Sequence, residues 1–179
     1  MKTRTRIWRL SAVAVVCAGV AACGGLPNGK DRKSQPAMVR QRMGATELAV
    51  VYNRPAARGR KLFGGIVPYG QVWNPGADEA TRLETNQDVR LNGQVLPAGK
   101  YSIWAIPQPG EWTLIFSRAH DVPHVPYPEG KDALRIRVRP EAGSHMESLG
   151  FSFPIATADS AVLTLQWGSV VVPIRIEPA

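Results

Sequence analysis

Cysteine is almost missing from this chain: 179 residues contain two, Cys17 and Cys23. Everything after residue 23 therefore has no thiol, no disulfide and no sulfur ligand for a metal. Several motifs of known chemistry are also absent. There is no Gly-x-Ser-x-Gly elbow, no phosphate-cradling loop ending in Lys-Ser/Thr and no His-Glu-x-x-His zinc helix. Ser144-His145 fall in an expected turn, and adjacency in sequence makes no catalytic triad. From Thr46 onward no window keeps a 3.6-residue apolar period over three turns, so a helical domain is excluded. The net charge of +8 is misleading as a sign of nucleic-acid binding. Lys2, Arg4, Arg6 and Arg9 sit in the first 22 residues with no acidic residue among them, so removing that segment halves the charge to +4.

What is present begins at the N-terminus. A basic start is followed by an apolar run from Leu10 to Ala22, which closes on Val20-Ala21-Ala22-Cys23-Gly24-Gly25. This order of basic, apolar and small residues is that of a secretory signal, and the run is short of the roughly 20 residues a membrane-spanning helix needs. The Val-Ala-Ala-Cys ending resembles the lipobox of bacterial lipoproteins. The resemblance implies cleavage before Cys23, lipidation of Cys23 and anchorage in the bacterial cell envelope, with Gly24 leaning toward the outer membrane and a domain facing the periplasm. Residues 24–43 hold few large apolar side chains and are expected to form a flexible tether with a reach of about 25 Å.

Past that point the period becomes two. Leu48, Val50 and Tyr52 alternate with smaller or polar residues, as do Trp112, Leu114 and Phe116. Leu134, Ile136 and Val138 interleave with Arg135, Arg137 and Arg139, a basic stripe expected to be a solvated sheet face or guarded edge. Asn92-Gly93 predicts a two-residue hairpin turn. Trp167-Gly168-Ser169 is expected to turn the chain between a strand at 163–167 and another at 170–176. Pro173 is expected to place the last strand on a sheet edge. The pattern predicts an all-β domain over residues 44–179, an antiparallel β-sandwich of about nine strands. Residues 54–78 break the alternation with many glycines and prolines, predicting one long structured excursion.

The excursion also carries a second resemblance. Tyr52-Asn-Arg-Pro-Ala-Ala-Arg-Gly-Arg-Lys-Leu-Phe-Gly-Gly-Ile-Val-Pro-Tyr-Gly-Gln-Val-Trp73, then Gly76-Ala-Asp-Glu-Ala-Thr81, Leu96-Pro-Ala-Gly-Lys-Tyr-Ser102 and Lys131-Asp-Ala-Leu-Arg135 are similar to the bacterial domain of unknown function 2911 family. That resemblance implies an envelope location and no particular reaction. Asn74 and Asp78 depart from the family pattern, which has arginine and asparagine there.

Candidate contact residues cluster in the excursion. Arg54, Arg58 and Arg60 are suited to clamp an anion, or else to pair with Asp78, Glu79 or Glu84. Tyr69 and Trp73 are either a stacking platform for a ligand or a lid over the end of the core. Asp78, Glu79 and Glu84 are the carboxylates a glycan- or peptide-acting hydrolase would use. His120, Asp121 and His124 form a weak candidate metal set, because Pro123 and Pro126 prevent helical placement of the two histidines. The expected function is display of a non-catalytic binding domain, without cofactor or nucleic-acid partner. Its expected partners are the membrane through Cys23 and an envelope glycan, an anionic ligand or a protein. A purely structural lipoprotein with a protein partner is the remaining alternative.

Overall fold

β2 (Thr46–Arg54) shows the alternation at its plainest. In the computed structural model, which describes residues 34–179, Leu48, Val50 and Tyr52 are buried and Glu47 is exposed. Around it, ten strands form two antiparallel sheets. The first has six strands in the order β1 (Gln35–Met43), β2, β3 (Arg82–Thr85), β6 (Gly99–Ile106), β7 (Trp112–Ser117) and β8 (Asp132–Val138). The second has four, in the order β5 (Gln94–Leu96), β4 (Val89–Leu91), β10 (Ala161–Pro178) and β9 (Glu141–Ala156).

Side chains from both sheets meet in one hydrophobic core. Leu48, Ile103 and Phe116 come from the first sheet, and Leu91, Phe151 and Leu165 from the second. Tyr52 links the two directly: its ring meets Phe151 edge-on at 5.0 Å, and its hydroxyl donates to Phe151 O at 3.4 Å. Between β4 and β5, Asn92 and Gly93 take φ of 48° and 83°, the two positive values that the hairpin turn requires.

Several expectations are corrected. The expected signal (1–22), Cys23 and residues 24–33 lie outside the described residues. Residues 35–43 do not form a tether: β1 pairs with β2 residue by residue, from Gln35↔Arg54 to Met43↔Thr46. Its composition is poor in large apolar groups, but Ala37 and Val39 rest on the core and Met43 is fully buried. A paired neighbour thus supplies order that the segment's own residues do not advertise. Ser144 and His145 lie within β9, not in a turn.

Trp167-Gly168-Ser169 is not a turn either. It is a bulge within the single strand β10, where Gly168 adopts φ 57° and the register with β9 shifts on both sides. The extra residue moves the buried set from odd positions (Leu163, Leu165, Trp167) to even ones (Val172, Ile174, Ile176), which explains why the sequence reads as two strands. Pro173 therefore lies in an inner strand of its sheet. It is tolerated because pairing with β9 ends at Val171 and pairing with β4 begins at Ile176. No ladder bond is asked of it there.

The chain between β2 and β3 ties the sheets together. After Arg54 it leaves β2's partners and pairs with β9 across the corner: Leu149 N donates to Pro55 O at 2.9 Å and Ala57 N to Glu147 O at 2.8 Å. It later returns to the first sheet, where Trp73 and Ala105 exchange two backbone bonds of 2.8 Å. On the outer face of that sheet, Ala80, Trp104 and Ile115 form a separate small cluster, covered by Val122 and Tyr127.

Candidate functional site

Residues 54–81 gather most of the candidate side chains. Arg54 closes β2 and donates Nε–H to Leu149 O at 3.0 Å. Arg58 takes a left-handed φ of 52°, and its backbone N–H donates to the Glu147 carboxylate at 2.6 Å. Arg60 folds back on its own turn, donating to Ala57 O at 2.9 Å and Ala56 O at 2.7 Å. Among the described residues the ion-pair partners of Glu84 are Arg82 and Lys100, not these three arginines. The guanidinium of Arg60 holds the crossing segment by its own carbonyls and that of Arg54 ties the end of β2 to β9, through acceptors that ordinary backbone geometry presents and sequence does not reveal. Glu147, which accepts from Arg58, has its pKa lowered, first by that backbone bond and then by His145.

The aromatic residues form a closure. Phe63 sits against Trp112 at 4.8 Å and meets Trp73 edge-on at 5.9 Å, while Trp73 stacks on Trp167 at 6.0 Å. Phe63 and Trp73 are half-buried against the main core. Trp73 thus sits where a lid would. Leu62 joins this closure, and a side chain at Gly168 would bring Cβ to 2.9 Å from it, so the bulge glycine also admits the excursion. Tyr69 is different: it lies over Gly64 and is 41% exposed.

Asn74 completes the return. It is fully buried, donates to Ile103 O at 2.7 Å and accepts from Thr81 N at 3.2 Å. A neutral side chain of that length fits the space between two backbone strands. Its role was invisible in the sequence, where only its departure from the family pattern stood out.

The carboxylates have different partners. Glu84 is bound to Arg82 at 2.7 Å and faces Lys100 at 3.7 Å on the outer face of β3. Glu79 accepts from Asn53 Nδ2 at 3.0 Å, and Asn53 also donates to Ala77 O at 2.8 Å. Asp78 has a left-handed φ of 63°, so it and Glu79 do not alternate as neighbours in an extended strand would. Asp78 Oδ2 and Asn53 Oδ1 are buried and have no hydrogen-bond partner among the described residues. Asn53, missed in the sequence reading, is 3% exposed and a polar neighbour of this segment.

His120, Asp121 and His124 are not brought together as ligands. Among the described residues no group of three or more His, Cys, Asp or Glu side chains is placed to hold a metal ion. His124 instead binds Asp78 O through its backbone N at 3.1 Å and its Nδ1 at 2.8 Å, which calls for the tautomer protonated at Nδ1. Two of the three stripe arginines lie on β8, an edge strand, with Arg135 paired to Asp132 at 2.7 Å and Arg137 to Glu111 at 2.9 Å, while Arg139 follows the strand's end.

Comparison with family models matches residues 34–176 to the family described as Protein of unknown function (DUF2911). No curated protein and no solved structure matches the chain.

Proposed function

The chain belongs to the DUF2911 family, and from that premise we propose that it is a lipid-anchored protein of the bacterial envelope whose β-sandwich domain binds and does not catalyse. In this reading residues 1–22 are the signal, Cys23 carries the lipid and the domain starts near Ser34. The observation that carries it is Val20-Ala21-Ala22-Cys23 directly after a basic and then apolar run. Acyl chains on one cysteine, taken together, exceed what stable anchoring needs. The excursion between β2 and β3 is the contact surface, held rigid by its crossing to β9 and by the Trp73 stack.

The binding role, and not hydrolysis, is supported by the separate partners of the carboxylates, since Glu84 is held by Arg82 and Lys100 while Glu79 is held by Asn53. A glycoside hydrolase uses two such groups facing one cleft. One observation favours the hydrolase as a second reading: the buried, unpartnered Oδ2 of Asp78. The experiment is expression of the full chain in a bacterial host, with membrane fractionation and mass measurement of the mature N-terminus. Loss of residues 1–22 with acyl mass on Cys23, and release to the soluble fraction in Cys23→Ser, is the expected result. An unmodified Cys23 in the exported protein sinks the anchor. Turnover of a peptidoglycan fragment that vanishes in Asp78→Asn would replace binding with hydrolysis.

A further inference from the structure

We infer that the tip of the excursion, residues 61–72, docks onto an anionic membrane surface. Among the described residues six large apolar side chains are exposed, and three of them, Ile66 (43%), Tyr69 (41%) and Val72 (38%), belong to this one loop. Val95, Val125 and Ile155 each stand on a separate element, as scattered surface apolars normally do.

Charge selects the partner. From Arg54 to Ala77 the chain has four cations, Arg54, Arg58, Arg60 and Lys61, and no Asp or Glu. Ile66 N donates to Lys61 O at 3.0 Å, so the backbone of an exposed apolar residue lies against that of a lysine. Aliphatic side chains and a tyrosine flanked by Arg and Lys suit the boundary between anionic headgroups and acyl chains.

The backbone fits the same partner. A segment that enters a water-poor layer must satisfy its own N–H groups. Here four consecutive ones do so inside the loop: Gly64 to Val67 O (2.9 Å), Gly65 to Leu62 O (3.1 Å), Ile66 to Lys61 O and Val67 to Leu62 O (both 3.0 Å). The turn is possible only with glycine at 65, where an added Cβ would lie 2.1 Å from Lys61 O. Phe63 and Trp73 fix the base in the aromatic closure, so the tip is presented by a rigid support. Three apolar side chains are few for a stable protein interface, which needs about 800 Å² from each partner. They suffice for shallow docking on a lipid surface that takes the shape of what meets it.

This rests on the excursion being the contact surface, and not on the lipid at Cys23. The test therefore uses the full chain with Cys17→Ser and Cys23→Ser, an environment-sensitive fluorophore on Ile66→Cys, and vesicles of phosphatidylglycerol or phosphatidylcholine. Phosphatidylglycerol should shift the emission to the blue with a several-fold rise in intensity, and phosphatidylcholine should do much less. Arg58→Asn with Lys61→Gln, which leaves the structural Arg60 in place and suits the left-handed φ at 58, should weaken vesicle affinity by about tenfold. An unchanged thermal midpoint checks that this variant folds. An emission spectrum that phosphatidylglycerol leaves as in buffer overturns the inference and assigns the exposed side chains to a protein partner. Equal shifts with both lipids, insensitive to the charge variant, overturn its electrostatic half.

Discussion

Two long connections interrupt the six-stranded sheet, residues 55–81 and residues 118–131, and they are ordered by different means. The first is fixed by apolar burial and by backbone pairing to both sheets: Phe63 and Trp73 enter a four-ring closure, Ala56 bridges Ser148 and Trp73 bridges Ala105. The second buries less and relies on polar ties. Val122 and Tyr127 cover Trp104, and the Tyr127 hydroxyl donates to Asp132, which also holds Arg135. The two meet along one seam, where Ala80 N donates to Val122 O at 3.0 Å. A loop without strand periodicity can thus be as fixed as a strand, provided that either rings or a closed polar network replaces the ladder.

The contrast predicts where each loop breaks. Phe63→Ala should cost the most, about 3 kcal/mol, since a half-buried ring leaves a cavity among three tryptophans. For a domain of this size that is a fall in Tm of roughly 6–12 °C. A fall under about 2 °C would mean that backbone pairing alone holds the first loop. Next is Asn74→Ala, expected to cost about 2 kcal/mol because it strands a buried carbonyl at Ile103 and a buried N–H at Thr81. Chemical denaturation measures both.

On the second loop, Tyr127→Phe should cost only about 1 kcal/mol, since it removes the bond to Asp132 and an exposed one from Arg135 but leaves no cavity. The same residue gives a pH signature. Burial first, then the bond to Asp132, pushes the Tyr127 pKa from 10.0 up to about 12. Folding therefore binds that proton more tightly than the unfolded chain does. The associated stability is complete below pH 10 and is lost as pH rises through about 12. Ultraviolet titration should show a tyrosine ionising near pH 12 that Tyr127→Phe removes; normal titration by every tyrosine would dissolve the polar network.

The smallest expected effect returns to the first loop. The lowered Glu147 pKa means that its bond to Arg58 contributes above the usual carboxylate value of 4.5 and is lost as pH falls through the folded value. Exchange of the Arg58 amide should accelerate in Glu147→Gln at neutral pH without a change in Tm. Equal exchange in both proteins would show the bond to be incidental.

How much of this the sequence discloses depends on whether a residue's partner is a side chain or the backbone. β2, β4 to β8 and the Asn92-Gly93 turn were legible because alternation and turn chemistry act locally. β3 carries one large apolar residue in Arg-Leu-Glu-Thr, and β9 is diluted by Gly143, Gly150 and four serines or prolines, so neither shows a clean period. In the candidate site, the arginines and aromatics were recognisable as a cluster. Their acceptors, the carbonyls of Ala56, Ala57 and Leu149, have no sequence signature, so these bonds could not be read from the sequence.

The placement of β10 has a kinetic consequence. It is the last of the ten strands in chain order, yet it lies between β4 and β9 and is the element that joins them. Leu91 must find Ile176, with most of the domain's length between them. Such a fold has high contact order, and its second sheet cannot assemble progressively during synthesis. The join between β4 and β9 therefore waits for the strand that comes last in chain order, and until then β4 has only β5 beside it.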